Sequence, residues 1–264
     1  MFGLTWRVLR VWTNQSIAFQ YGAQTTGLVN LKGSEIMNLI KKMVGSLLLV
    51  ACAASHAEPV MTLITINTAE PEAYSAWAKK HAAAVSKANG AMAMGLCSPT
   101  SGAQKMGDHY VWSFYDSQTS VWSSDPINPV VREAVADMNV EREVRMWDNW
   151  RIVRAAPTSE RGYYYNIYVR TDNPADYIAV VDELHAEMQK RGYDITLQVF
   201  VGDTGETAGT IMTSFGSSDA AEVGRMMDAR SEKWVSKIIS KIEGKREMIH
   251  GFSLMCETYY AAEM

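Results

Sequence analysis

From residue 61 the chain reads MTLITIN, where apolar and polar positions largely alternate, the two-residue period of a strand with one buried face. Pro71 then marks a helix start, a position where its missing N–H is not needed. Up to about residue 88, Tyr74, Trp77, Ala78, His81 and Val85 recur at i, i+3, i+4 spacing. Strands are predicted at 93–97 and 109–115, separated by a turn at Pro99-Thr100-Ser101-Gly102. Ser117 is a candidate N-cap for a short helical turn. A helix near Pro129 presents Val131, Ala134, Val135 and Met138, and a last strand covers about 145–154.

The same order returns after a polar, proline-broken linker at 155–160. Residues 163–170 (YYYNIYVR) read as a strand, and Tyr177, Val181, Leu184 and Met188 form a helix stripe. Strands follow at 195–201 and 209–215, then a turn capped by Ser218. A long helix over 220–243 shows Trp234, Ile238 and Ile242, and a closing strand covers 250–259. Short motifs match across the halves: Thr68 to Tyr74 with Thr171 to Tyr177, Trp112 to Ser117 with Thr213 to Ser218, and Arg142-Glu143-Val144 with Arg246-Glu247-Met248. Three matches in order at nearly constant offset mark an internal repeat. The expected organisation is a first unit at 58–156 and a second at 157–264.

Residues 37–57 have the parts of a secretory signal: Lys41 and Lys42, an apolar run, and Ser55-His56-Ala57 as a small-x-small exit. The apolar run is far shorter than the roughly 20 residues a membrane span needs. Residues 1–36 fit no targeting pattern and are read as a non-native extension upstream of Met37, with an unusually long n-region as the alternative. Leu49-Val50-Ala51-Cys52 also resembles a bacterial lipobox, so cleavage after Ala57 and lipid anchoring through Cys52 both stand open. Either route exports the chain, with the bacterial periplasm as the expected place and no transmembrane helix in the mature form.

Composition changes the picture in two ways. Five of the 25 Lys and Arg and one of the 29 Asp and Glu lie in residues 1–57, leaving 20 against 28 and a net charge of −8. Without a basic cluster, no nucleic-acid partner is expected. Beyond residue 57 two cysteines remain, Cys97 and Cys256, which allow one disulfide or two separately buried thiols. No CxxC, HExxH or His-x-His spacing occurs, so no metal site is expected. Met92/Met94 and Met226/Met227 read as flexible core filling rather than as copper ligands.

The tandem β-α-β-β-α-β order, with the third strand and serine-capped turn of WSFYDSQTSVWSSDP, resembles the dimeric α/β-barrel superfamily. The resemblance implies an α+β fold: two ferredoxin-like units pairing sheet to sheet as a pseudo-dimeric barrel. It also implies a ligand space between the units and a spread of activities, from cofactor-free monooxygenases to haem enzymes. In haem-degrading members a histidine on the second helix ligates the iron, with an asparagine on the first strand and a tryptophan on the third. Asn67 or Asn166 and Trp112 match this pattern, but neither second helix holds a histidine, and His250 lies just beyond one. No cofactor is therefore expected, with haem the exception the resemblance leaves open.

Two function classes follow: an exported binding or accessory protein for a small apolar or aromatic molecule, or a cofactor-independent monooxygenase-like enzyme. For the enzyme, Asn166 would hold a developing oxyanion, Trp112 would pack the substrate ring and His250 would move a proton. For ligand binding, Tyr163 and Tyr165 on one strand face, with Asn67, His81 and His185, are the candidate contacts. Core packing is the competing explanation for the tyrosines, and His81 sits on the apolar stripe of its helix, where a core role competes.

Overall fold

The computed structural model describes residues 57–263; the leader at 37–57 with Cys52 and the extension at 1–36 lie, Ala57 apart, outside the described residues. The first half runs β1 (Val60–Asn67), α1 (Pro71–Asn89), β2 (Ala93–Ser101), β3 (Asp108–Tyr115), α2 (Gln118–Ser123), α3 (Pro129–Ala136) and β4 (Glu143–Arg154). The second runs β5 (Arg161–Arg170), α4 (Pro174–Lys190), β6 (Thr196–Gly202), β7 (Ile211–Ser217), α5 (Ala220–Asp228), α6 (Lys233–Ile239) and β8 (Glu247–Ala261). All eight strands close into one antiparallel barrel, ordered β1-β3-β2-β8-β5-β7-β6-β4.

Within that order, the first-half strands stand fourth-first-third-second and the second-half strands do the same. The halves meet edge to edge, β2 on β8 and β4 on β6. Closure leaves no strand edge unpaired, which removes the exposed edges that a single four-stranded sheet would present. A Cys97–Cys256 disulfide crosses the β2–β8 seam, where the two residues lie directly opposite.

The strand period puts alternate residues into the lumen and against the helices. Met61, Trp112, Trp150, Tyr168, Phe200 and Phe252 fill the barrel. On the outside, α1 packs Tyr74 and Ala78 against Ile66, Leu96 and Val111, whereas α4 packs Tyr177, Val181, Leu184 and Met188. The buried face of α1 is Tyr74, Ala78, Ala82 and Ser86, so small residues let this helix lie close to its sheet, and Trp77, His81 and Val85 flank it.

Four expected features differ. The helix expected to follow a cap at Ser218 is capped instead by Asp219, whose carboxylate accepts the Ala221 N–H at 2.9 Å. The turn at 99–102 is strand through Ser101, because Pro99 sits at a register shift opposite β8, where its missing N–H breaks no ladder bond. The helix from Pro129 ends at Ala136, and β4 begins earlier, at Glu143. The long helix at 220–243 is broken between α5 and α6 by extended Glu232, where the Arg230 and Ser231 side chains take the carbonyls of Met227 and Asp228.

Candidate functional site

Two cavities are candidates. One lies in the barrel lumen, about 70 Å³, walled by residues that include Trp112, Phe114, Tyr164, Asn166, Gln198 and Phe200. Linker residues Thr158 and Ser159 stand at its rim. A water needs roughly 10–15 Å³ of such space, so this chamber takes a handful of waters or a molecule of few atoms. Asn166 is 6% exposed; its Nδ2 donates only to the thioether of Met212 at 3.6 Å, and its Oδ1 has no partner among the described residues. Trp150 Nε1 and His250 Nε2 are also buried without partners.

Further polar groups of the barrel are buried. Asp148 is buried, and burial raises its carboxyl above the usual range, with Thr207 opposing the shift. A Cβ on Gly205 would fall 1.8 Å from Asp148 Oδ1, and Gly205 has φ +69°, so glycine is required beside the carboxylate. Burial pushes the Tyr110 phenol up to about 12, and the Tyr168 phenol is raised further by the same cause.

The larger cavity, about 250 Å³, lies outside the barrel wall, under the helices of the second half. Its floor is Tyr165 and Ile167 of β5 with Phe215 of β7. Tyr177, Val181, Leu184 and Met188 of α4 form one side, and Met226, Met227, Val235 and Ile239 of α5 and α6 form the other. Exposed Arg230, Ser236 and Met248 stand at the mouth with half-buried Arg246. The Tyr177 hydroxyl and Thr213 Oγ1 are hydrogen-bonded at 2.9 Å, and burial raises the Tyr177 phenol, so it stays neutral. Among the described residues the cavity wall carries two arginines and no carboxylate.

The structure distributes the predicted site residues over separate places. Asn166 and Trp112 share the lumen cavity. His250 is in the barrel wall, stacked on Phe252 at 5.2 Å and edge-on to Tyr168 at 6.3 Å. Tyr164 and Tyr168 face the lumen, whereas Tyr163 and Tyr165 point to the helices, where Tyr165 lines the larger cavity. Asn67 donates to Asp108 Oδ1 (2.9 Å) and the Met106 carbonyl (2.8 Å), tying the β1 end to a buried carboxylate that is paired with Arg145. His81 Nε2 lies 2.7 Å from Asp137, which Lys80 also pairs, and His185 Nε2 lies 2.8 Å from the Ile195 carbonyl. The last three are occupied by structural partners and line neither cavity. The sequence reading missed Arg230 and Arg246. The Arg142/Arg246 match in the repeat was the available signal, since each guanidinium lies near the helix tyrosine of its half, Tyr74 or Tyr177.

Among solved structures, chlorite dismutase from Candidatus Nitrospira defluvii aligns with 78% of this chain and 93% of its own, at TM-score 0.51 and 8% identity. The fold is that of the dimeric α/β barrels. The chain also aligns with a provisionally assigned monooxygenase from Lactobacillus acidophilus (TM-score 0.48, 9% identity, 77% of this chain and 95% of that one). A haem-binding protein from Thermus thermophilus aligns at TM-score 0.44 and 8% identity, over 76% of this chain and 91% of that one. No protein-family model matches the chain, and no curated protein does. Identities this low carry the dimeric α/β-barrel fold and nothing of its members' chemistry.

Haem is the cofactor that the family resemblance leaves open. The larger cavity has no histidine or cysteine in its wall, and its tyrosine next to the floor is a hydrogen-bonded neutral phenol. That donor set does not fit a histidine- or thiolate-ligated haem. Among the described residues no cluster of His, Cys, Asp and Glu has the geometry of a metal site.

Proposed function

We propose that the protein is an exported binding protein that holds a small, largely apolar molecule in the chamber under the helices of its second half. The 250 Å³ cavity carries this reading: an aliphatic, aromatic and methionine-rich wall with a few polar groups at its mouth is the usual make-up of a small-molecule site. Four methionines in the wall supply adaptable surface. The leader-like pattern at 37–57 and the cross-seam disulfide support export to an oxidising compartment. We read the halves as tandem ferredoxin-like units, a fused counterpart of a two-chain barrel, supported by their shared strand order and the repeated motifs.

Filling the chamber tests the proposal. In a titration with the neutral dye N-phenyl-1-naphthylamine, the protein is expected to bind saturably, and Leu184→Trp to weaken binding about tenfold or more. Equal binding by this variant would place the ligand elsewhere. The monooxygenase-like reading rests on Asn166 and Trp112 sharing the lumen cavity, where a ligand oxygen would displace the weak thioether contact of Asn166 Nδ2. Room for only a few atoms there favours binding over turnover of an aromatic substrate.

A further inference from the structure

We infer that the natural ligand of the helix-covered chamber is an amphipathic carboxylic acid, its chain in the apolar cavity and its carboxylate held at the mouth by Arg230 and Arg246. The inference rests on the chamber being the binding site and names the class of molecule it takes.

The two arginines are the cations of the cavity wall among the described residues; Lys233, Lys237 and Lys245 also lack an ion pair but do not line it. Arg170, Arg191, Arg225 and Lys241 each pair with a glutamate, whereas neither Arg230 nor Arg246 has an acidic partner within ion-pair distance among the described residues. Arg230 Nε donates to the Met227 carbonyl, 2.9 Å away, and its guanidinium lies 5.9 Å from the Tyr165 ring. Arg246 lies 5.8 Å from the Tyr177 ring. Aromatic faces and a backbone carbonyl steady both groups without neutralising them. In a domain of net charge −8, two uncompensated guanidiniums in the wall of one cavity form a local positive site. Guanidinium donors match a carboxylate in charge and planar geometry, and both arginines still have free N–H groups. A neutral ligand would leave that charge unused, and a cationic one would be repelled.

The first half provides an internal contrast. There Trp77 packs at the helix–sheet interface, its indole N–H donating to the Ala134 carbonyl at 2.8 Å, and Arg142 lies over that ring at 6.0 Å. An arginine at the matching position thus lies over a packed indole in one half and borders a chamber in the other.

The experiment is a calorimetric titration of the full-length protein with decanoate and with 1-decanol, which share a chain and differ in charge. Decanoate is expected to bind at least about tenfold more tightly, as hydrogen bonds to a charged group imply. The R230Q/R246Q double variant, checked for folding by circular dichroism, is expected to erase that preference. A second measurement needs no substitution: decanoate affinity should fall with added salt while decanol affinity holds. Equal affinity for the two ligands, or a decanoate preference that survives the double variant, overturns the carboxylate assignment and leaves the chamber as a binding site. Binding of N-phenyl-1-naphthylamine without either decyl compound likewise overturns the assignment alone. Failure of all three to bind overturns the chamber reading and the assignment together.

Discussion

Asp148 is a buried carboxyl with no cationic partner among the described residues, held between Thr207 and the bare Cα of Gly205. Burial raises its pKa, so the folded protein binds this proton more tightly than the unfolded chain does. The stabilisation is complete below the unfolded value, roughly 3.9, and is lost as the pH rises through the raised folded value. Asp148→Asn, neutral at every pH, is therefore expected to unfold at a higher temperature than the parent at pH 7, with the gain gone near pH 3. Thermal melts across that range give the answer, and a gain independent of pH would mean the carboxyl is not the cause. The lumen asparagine was legible as a singular residue in YYYNIYVR, since an amide between tyrosines on a buried strand stands out. The inward pair of tyrosines was not legible. Alternation gives two sets of side chains but not which set faces inward, and that is fixed by pairing with β7 and β8 far along the chain.

The helices differ in what local sequence could announce. Pro71, Pro129 and Pro174 each open a helix, and Asn128 and Asn173 cap theirs by accepting backbone N–H bonds from Val131 and Asp176. Asn128 also donates to Asn89 Oδ1 at 2.9 Å, which links the start of α3 to the end of α1. Asn128→Ala should cost about 1 kcal/mol in urea unfolding, or somewhat more through the lost link. A cost near zero would show the cap to be dispensable. The break at Glu232 could not be read from the pattern, because neither glycine nor proline marks it and the apolar residues on both sides, Val223 and Met226 before it and Trp234 and Ile238 after it, keep helical spacing. That break sets α5 and α6 apart over β5 and β7, and the chamber lies beneath them. Arg230, at the proposed site, thus falls beside a backbone break that the periodic signal did not mark.

At the scale of the molecule, the repeat made the order of elements legible, and the structure added how the halves join. Hydrogen-bonded seams at β2–β8 and β4–β6 turn two sheets into one closed wall, and the disulfide fastens the first seam across 159 residues of chain. Closing so long a loop restricts the unfolded chain, so Cys97→Ala with Cys256→Ala should lower stability by about 2–4 kcal/mol. Denaturant titrations of the double variant and of reduced parent protein should agree; a loss in one alone would separate the cysteine side chains from the bond between them.

The two halves share a winding but not an interior. One packs an indole, Trp77, between its helices and sheet, and the other keeps a chamber under its helices. Two identical chains related by a two-fold axis must be alike in this respect, each hollow or each filled. A single polypeptide is free of that symmetry: one half can be spent on rigidity while its sibling stays open, and a carrier built this way would saturate at one guest per chain.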